Sequence, residues 1–426
     1  MRSTSSENSI YIPEEILIHI LLRLPVKSLA RFMCVCKSWS DLIGSSSFIG
    51  RHVNSYVKNL NHTFLVGLQC NEGKPKIRHS IFFNETFKAR CLDMGGLQLH
   101  GSSNGLLCLS SNSPDLNSPV SICNPSIMKY VGLPDTNLSR PPNSEYHCVL
   151  GFGFNPGLND YKVVRLVTIY RQHYIEVEVY SLSTHSWKII GVLPPWIISM
   201  DWSFGHAVSN GVAYWIMRAE KDCSLHLVSF DTGSEVFEKV LLPEAIWESI
   251  VCYVDSFNDI QPYKESVCLL KSEAENRIDI WVLQEKCLNK LHTVWFPGRF
   301  PVPLGFKTND ELLVKYRKHG RCQYLAIYNL QTKQINETRV TLPVHCYLDN
   351  HVDTYAASLL LLKDIRAQEL RRISCVFPLC RGRKLILIKV TSPCFCVFRF
   401  RELNLRNVSM VGLINFITDA LLILCF

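Results

Sequence analysis

The chain has 426 residues, of which 47% are hydrophobic and 19% are charged. This length allows one large domain and one small one, and the apolar content excludes an intrinsically disordered chain. Residues 363–406 contain 11 basic and 3 acidic side chains and therefore carry the whole net charge of +8. The nearly neutral remainder has no basic field for phosphates, so we expect no nucleic-acid partner.

Residues 1–10 are polar, contain no apolar signal core and are predicted to be a disordered N-terminus. The chain is therefore expected in a reducing compartment, the cytoplasm first and the nucleus second. In such a compartment the 18 scattered cysteines are interpreted as small buried hydrophobic residues and not as disulfides.

The strongest helical pattern lies within residues 11–50. Proline residues begin two of three predicted helices, and apolar residues recur at helical spacing after each start. Gly44 and the serine run 45–47 are expected to end the third of these helices. So small a unit carries more apolar residues than its own core needs. This surplus indicates either a groove for a partner or a helical cap packed on the rest of the chain.

The segment YIPEEILIHILLRLPVKSLARFMCVCKSWSDLI, residues 11–43, resembles the plant F-box. Ile12 stands where Leu is usual, and nearly every other position agrees with the family pattern. The resemblance implies docking on a Skp-type adaptor and, through it, on a cullin. The residues implied in this interface, or in the packing behind it, are Pro13, Ile16, Leu17, Leu24, Pro25, Leu29, Phe32, Val35 and Trp39.

After residue 60, short apolar runs alternate with turn residues, and one unit recurs five times. The copies align on the buried-type residues Cys123, Tyr180, Phe230, Trp281 and Tyr328, in steps of 57, 50, 51 and 47. An Asn-centred turn signal precedes each copy, at residues 104–105, 159–160, 210–211, 258–259 and 309–310. A tight turn between strands at a period near 50 predicts kelch-like propeller blades.

Two further segments fit the same repeat. Residues 80–89 are predicted to form a degenerate sixth unit, and residues 354–362 to supply the strand that closes the ring. The fold class is therefore α+β, with a small helical module followed by a mostly-β propeller. A twisted β-sandwich is the alternative, since strand spacing alone does not separate the two architectures.

The stretches SSNGLLCLS, ICNPSIMKYVGLP, GFGFNPGLNDYKVVRLV and SNGVAYWI resemble the plant F-box-associated domain over about residues 95–362. Residues 51–94 are assigned to a linker and a first β unit, and residues 363–426 to an atypical basic and apolar tail. Within the family, FFNETF and SFDTGSEVFE are most similar to S-locus F-box proteins of Rosaceae. That resemblance implies a pistil self-incompatibility ribonuclease as the target.

The sequence contains no recognisable catalytic, cofactor or metal motif, and no catalytic residue is predicted. GFGFNPG, residues 151–157, precedes a strand-like run and not the helix that a nucleotide site requires. Zinc binding by Cys375, Cys380, Cys394 and Cys396 is not expected, because their spacing matches no standard site. Residues 410–426 contain an Asp and are at the lower limit for a membrane span, so membrane attachment is not expected.

The predicted function is that of a non-catalytic receptor that captures a target protein for ubiquitination. The irregular connections at residues 135–148, 170–176, 195–206 and 344–353 are candidate capture segments, because loops on a rigid β scaffold commonly carry binding. The alternative is a ligand-binding or enzymatic propeller with a helical appendage.

Overall fold

A computed structural model provides the structure of the chain. It describes residues 13–58, 63–66, 70–72, 74–76, 79–82, 89–92, 97–111, 116, 118–138, 146–169, 175–192, 203–218, 225–240, 242–243, 246, 258–273, 276–297, 299–308, 310–318, 323–342, 353–362 and 368–369. The predicted disordered N-terminus, residues 1–10, lies outside the described residues.

Four helices open the described chain: α1 Glu14–Leu21, α2 Val26–Phe32, α3 Lys37–Ile43 and α4 Ser46–Lys58. Pro13 and Pro25 immediately precede α1 and α2 with extended backbone, at ψ 144° and 148°. Proline has a fixed φ and no N–H, so it suits a helix start and cannot continue the helix before it. Both predicted proline boundaries are correct to one residue.

The predicted end of the third helix at Gly44 and the serine run 45–47 is confirmed, since α3 ends at Ile43, but a fourth helix that was not predicted, α4, begins inside the same run. The Ser45 hydroxyl accepts a hydrogen bond from the backbone N–H of Phe48 at 3.2 Å. It also donates to the carbonyl oxygen of Leu42 at 2.8 Å, on the last turn of α3. A serine that satisfies an otherwise unpaired N–H in this way is a helix-start signal. Ser45 therefore links two consecutive helices.

The remaining elements are strands. They are β1 Thr63–Val66, β2 Cys70–Glu72, β3 Lys74–Lys76, β4 His79–Phe82, β5 Ala89–Leu92, β6 Leu97–Ser103, β7 Leu106–Ser111, β8 Val120–Asn124, β9 Lys129–Gly132, β10 Tyr146–Asn155, β11 Asp160–Ile169, β12 Ile175–Ser181, β13 Ser186–Val192, β14 Ser203–Ser209, β15 Val212–Arg218, β16 Leu225–Asp231, β17 Val236–Val240, β18 Asn258–Tyr263, β19 Ser266–Glu273, β20 Arg277–Gln284, β21 Cys287–Trp295, β22 Arg299–Thr308, β23 Glu311–Arg317, β24 Gln323–Asn329, β25 Ile335–Leu342, β26 Asp353–Ala356 and β27 Gln368–Glu369.

Consecutive strands form five antiparallel meanders, here called blades I to V: β6–β9, β10–β13, β14–β17, β18–β21 and β22–β25. Blade I gains a fifth strand, because β27 pairs with the outer strand β9. Blade VI is assembled from both ends of the propeller, in the strand order β26-β1-β4-β5. The first strand of each meander contacts the first strand of the next, and β26 contacts both β22 and β6. The sheets therefore form a closed ring.

This closed ring is a propeller and not the twisted β-sandwich that strand spacing had left open. Side chains from neighbouring sheets form apolar clusters between blades I and II, II and III, III and IV, IV and V, and VI and I. The predicted ring closure is confirmed, since Tyr355 of β26 pairs with Phe64 of β1. Only residues 354–356 of the predicted closing strand, 354–362, are strand, because β26 ends at Ala356.

Four of the five residues used to align the repeats occupy one structural position, the last but one of the third strand: Cys123, Tyr180, Phe230 and Tyr328. Trp281 lies two residues earlier in its strand, since β20 ends at Gln284. Each of the five lies in the third strand of its blade, and all are between 0% and 8% exposed: Cys123, Tyr180, Phe230, Trp281 and Tyr328. Burial of a large side chain at this position contributes to packing between blades. Their assignment as core residues is confirmed.

Three of the Asn-centred turn signals lie in the turns between the first and second strands of blades I, II and III. Asn104, Asn159 and Asn210 have positive φ of 50°, 47° and 49°, which Asn tolerates better than most residues. The predicted turn at residues 258–259 was wrong, because both residues lie in β18 and pair with β19. Blade IV turns instead at Lys264, with φ 53°. Asn309 of the fifth signal lies outside the described residues.

Candidate functional site

The four helices enclose one apolar core together with residues from the far end of the chain. The buried members are Leu21, Leu22, Leu24, Val26, Leu29, Trp39, Ile43, Phe48 and Leu359. Leu359 is 0% exposed and follows the ring-closing strand β26. Ile127, in the turn between β8 and β9, packs against the same cluster. The helical module and the propeller therefore share a core, as a helical cap does.

Five of the nine predicted docking residues belong to this core. Leu24, Leu29 and Trp39 are 1%, 0% and 3% exposed. Leu17 and Phe32 are partly buried and pack against them. The Phe32 and Trp39 rings meet edge to face, with centroids 5.4 Å apart, an arrangement that aromatic pairs prefer. In the described chain these five side chains hold the helices together.

The other four predicted residues lie outside the shared core. Val35 follows α2 and is 42% exposed, which is unusual for a β-branched apolar side chain in so small a module. Pro13 and Pro25 are exposed at the starts of α1 and α2, and Ile16 is partly exposed on the first turn of α1. These residues are available to a partner without any change in the helical core.

His52 of α4 is a buried polar residue that the sequence pattern did not single out. Its Nε2 lies 3.1 Å from the carbonyl oxygen of Leu24. A carbonyl oxygen only accepts, so Nε2 carries the proton and donates. Burial lowers the pKa of His52 below its ordinary value of 6.5, against a smaller opposite effect of this hydrogen bond. The imidazole in its neutral form therefore ties α4 to the connection between α1 and α2.

Acidification is expected to destabilise the helical module through His52. The unfolded chain takes up a proton as the pH falls below about 6.5, whereas the buried imidazole resists protonation until the lower folded pKa. The contribution of His52 to the free energy of unfolding is thus fully present above pH 6.5. It declines as the pH falls from the unfolded pKa to the lower folded pKa. Amide exchange of α1–α4, corrected for intrinsic rates, should accelerate from about pH 8 to about pH 5.5.

The matched control for that experiment is His52→Gln, which retains a donor toward Leu24 and cannot titrate in this range. Its helices should exchange at a rate that is nearly independent of pH after the same correction. An equal pH dependence in both proteins would show that another group is responsible.

The segment after β26, residues 357–362, is here called the closing segment. The Asn124 side-chain amide donates to the carbonyl oxygens of Ser358 at 3.0 Å and Leu360 at 2.8 Å. It also donates to the Ser358 hydroxyl at 3.2 Å. The Lys129 ammonium donates to the Leu362 carbonyl oxygen at 2.7 Å. Blade I therefore holds the closing segment against the helical module.

The sequence offered a partial signal for this arrangement. Residues 354–362 were predicted to close the ring, but their apolar run gave no indication of contact with residues 13–58, more than 290 positions earlier. Asn124 was included in a repeat copy only as part of a turn. Its oxygen does cap that turn, accepting from the Ser126 N–H at 3.0 Å, while its nitrogen donors serve the closing segment.

The two faces of the propeller differ in the length of their connections. Turns from first to second and from third to fourth strands are short, as at residues 104–105 and 125–128. Ile127 contacts the helical core, so these turns lie on the face that carries the helices. Because neighbouring strands are antiparallel, the remaining connections lie on the opposite face. The longest of them joins β17 to β18, residues 241–257.

The described strands that flank the four predicted capture segments end at that opposite face, and most residues of the segments themselves lie outside the described chain. The described beginning of segment 135–148 is bound to the propeller and is not free for capture. The backbone N–H of Asn137 donates to a carboxylate oxygen of Glu178 at 3.3 Å, and its side chain donates to the Trp187 carbonyl oxygen at 3.0 Å. Leu138 is only 6% exposed. The beginning of segment 135–148 is thus bound to the side of blade II.

Among the described residues, no group of three or more His, Cys, Asp or Glu side chains is placed to hold a metal ion. In the same part of the chain, every helix is too short or too polar to cross a membrane. The four tail cysteines and residues 410–426 lie outside it. The free thiols Cys108 and Cys123 are buried, and burial raises the pKa of Cys123 to about 12. Cys34 and Cys287 are exposed, contrary to the expectation of burial.

The helical module joined to a six-sheet ring defines the class of F-box proteins that carry a propeller. Residues 11–49 match the F-box domain. Residues 61–345 match the F-box associated beta propeller domain. The second match covers more than half of the chain, so the protein belongs to the F-box associated β-propeller family.

Its relatives include several plant proteins. It is 27% identical over 335 residues to F-box/kelch-repeat protein At3g23880 of Arabidopsis thaliana, covering 75% of this chain and 87% of that one. It is 26% identical to F-box protein CPR1 of Arabidopsis thaliana, over 64% of this chain and 70% of the relative. These similarities support a general substrate-recognition role in an SCF complex. F-box proteins are generally non-catalytic subunits, and their F-box binds Skp-type adaptors.

Proposed function

We propose that this chain is the receptor of an SCF-type ubiquitin ligase, docked on a Skp-type adaptor by its helices while its propeller holds a target protein. The observation that carries the proposal is the exposed apolar group Pro13, Ile16, Pro25 and Val35, which lies outside the helical core. It lies within the residues that match the F-box domain. The proposal places the chain in the cytoplasm and also in the nucleus.

In this role the receptor positions the target protein and carries out no chemical step itself. Holding a target lysine near a loaded conjugating enzyme converts a bimolecular encounter into an effectively unimolecular step. Such a receptor needs one surface for the ligase, one for the target, and a rigid body between them. The helices offer the first surface, and the opposite face of the propeller, with its long connections, is the proposed second surface. The proposed target-facing segments are residues 170–176, 195–206, 344–353 and the part of 135–148 that follows the bound residues Asn137 and Leu138.

For the target, we propose a protein of the self-incompatibility ribonuclease type, on the basis of the S-locus resemblance of FFNETF and SFDTGSEVFE. Of the first stretch only Phe82, at the end of β4, belongs to the described residues, whereas the second spans the end of β16 and the start of β17 in blade III. The names of the two Arabidopsis relatives described above mention no such target. Binding to a panel of pistil ribonucleases tests this part separately.

The general proposal is tested by titrating the full chain with a recombinant plant Skp-type adaptor and then reconstituting the complex with cullin, RING protein and conjugating enzyme. We expect a saturable complex with the adaptor and ubiquitin transfer to a co-purified target or to the receptor itself. A folded full chain with no measurable affinity for the adaptor would overturn the proposal.

A further inference from the structure

The described chain brings its two ends together at the helical module. Leu359, from the closing segment, is completely buried among helical residues that include Leu24 and Trp39. Ala357 and Leu362 pack against the same cluster. The helical core is thus complete only when residues 357–362 lie in place. These residues follow directly on β26, the strand that closes the ring by pairing with β1.

Polar contacts fix the closing segment and β26 to one turn of blade I. The Asn124 amide holds the carbonyl oxygens of Ser358 and Leu360. The Ser126 backbone N–H donates to the Tyr355 hydroxyl oxygen at 3.1 Å. Tyr355 itself is 3% exposed and packs in the apolar cluster between blades VI and I. A displaced β26 would therefore move Tyr355, Ser358 and Leu359 together.

We propose that adaptor docking on the helices and closure of the propeller ring are thermodynamically coupled through the closing segment. The proposal rests on the adaptor role proposed above and adds the condition that the propeller ring must be closed for tight docking. An open ring withdraws Leu359 from the helical core and weakens the docking surface. By reciprocity, a bound adaptor stabilises the paired state of β26. Only a chain that is complete through residue 362 would then enter the ligase with full affinity.

The test uses Asn124→Asp in the full chain. The substitution retains an oxygen that can cap the turn, but it removes the amide donors and places a negative oxygen before the Ser358 and Leu360 carbonyl oxygens. The matched control is Asn329→Asp at the equivalent position of blade V. Asn329 caps its turn by accepting from Gln331 and Thr332 at 3.0 and 2.9 Å. Asp231 caps the corresponding turn of blade III, so the turn accepts Asp.

Two quantities are measured for the wild type and both variants: adaptor affinity and amide hydrogen exchange with and without adaptor. We expect Asn124→Asp to bind at least about tenfold more weakly. Without adaptor, its α1–α3 and β26 amides should exchange faster, while β14–β21 retain wild-type protection and so report a folded propeller. In the wild type, adaptor should slow exchange in β26 more than in β22–β25. Asn329→Asp should match the wild type in each measurement.

Equal adaptor affinity and equal helix protection in Asn124→Asp and the wild type would overturn the coupling while leaving the ligase role intact. Loss of protection throughout blades II to V in Asn124→Asp would also overturn it, because the effect would then be general unfolding. A wild type that binds no adaptor would reject the ligase role itself. The exchange comparison without adaptor would still measure the link between closing segment and helices.

Discussion

Val35→Asp is expected to lower the affinity for a Skp-type adaptor by about 100-fold or more, without a change in the Tm of the full chain. Val35 is 42% exposed and lies outside the shared core, so the free protein keeps the aspartate solvated at little cost. In a complex the same carboxylate would be buried against an apolar partner surface, which costs about 2–5 kcal/mol. A loss of about 2.7 kcal/mol corresponds to a 100-fold change in affinity.

The control for this prediction is Val236→Asp, since Val236 is 51% exposed on the outer strand of blade III. Calorimetric titration should give wild-type affinity for that variant, and thermal melting should give the same Tm for all three proteins. Wild-type affinity of Val35→Asp would remove this residue from the interface. Leu24→Asp is not an informative alternative. Leu24 is 1% exposed, so a charge there would disrupt the helical core and confuse unfolding with loss of binding.

Gly105→Ala is expected to destabilise the propeller by roughly 2–5 kcal/mol, because it combines backbone strain with a collision at the ring closure. Gly105 has φ +83°, where a side chain is strained. A Cβ there would lie 2.2 Å from the Ala356 carbonyl oxygen, at the end of β26. The backbone of a paired strand cannot move aside without opening blade VI. The substitution is therefore expected to weaken the pairing of β26 with β1.

The chain supplies a closely matched control in Gly211→Ala. Gly211 belongs to the equivalent Asn-Gly turn of blade III, with φ +81°, and a Cβ there would meet side-chain atoms of Asn155 at 2.8 Å. A side chain can shift more readily than paired backbone, so we expect a smaller loss, of about 1–2 kcal/mol from strain. Urea unfolding, monitored by tryptophan fluorescence, measures the loss of unfolding free energy in both variants. Equal losses would show that the Ala356 contact is not a tight part of the closure.

The serine run, which was predicted only to end the third helix and also begins a fourth, shows where local pattern is ambiguous. A serine after an apolar stripe can end one helix or begin the next, because its hydroxyl bonds equally well to a carbonyl oxygen or to an N–H. Ser45 does both. The Asn258 error has another cause. The pairing of Tyr263 with Ser266 sets the turn of blade IV at Lys264, and strand register overrides the local preference of Asn for turns.

In the candidate site, too, the local pattern leaves open what only distant contacts decide. Leu24 and Val35 are both apolar members of a helical stripe, and the family pattern assigns both to docking or to the packing behind it. Their exposures of 1% and 42% depend on which helix, and which distant segment, covers each one. Leu359 covers part of the core from more than 300 residues away, and periodicity contains no information about such a neighbour.

The sequence by itself determined the helical module, the repeated blade with its buried third-strand residue, and the family to which both belong. The helical module and the repeated blade follow from periodicity, proline and aromatic positions, which act over a few residues, and the family follows from the resemblance of residues 11–43 and 95–362 to known sequences. Tertiary structure alone decided how the ends of the chain meet, which apolar residues remain in solvent, and which face carries the helices. Those properties arise because burial depends on contacts between segments far apart in the chain, and closing the ring makes residues 353–362 the neighbours of both the first strand and the first helices.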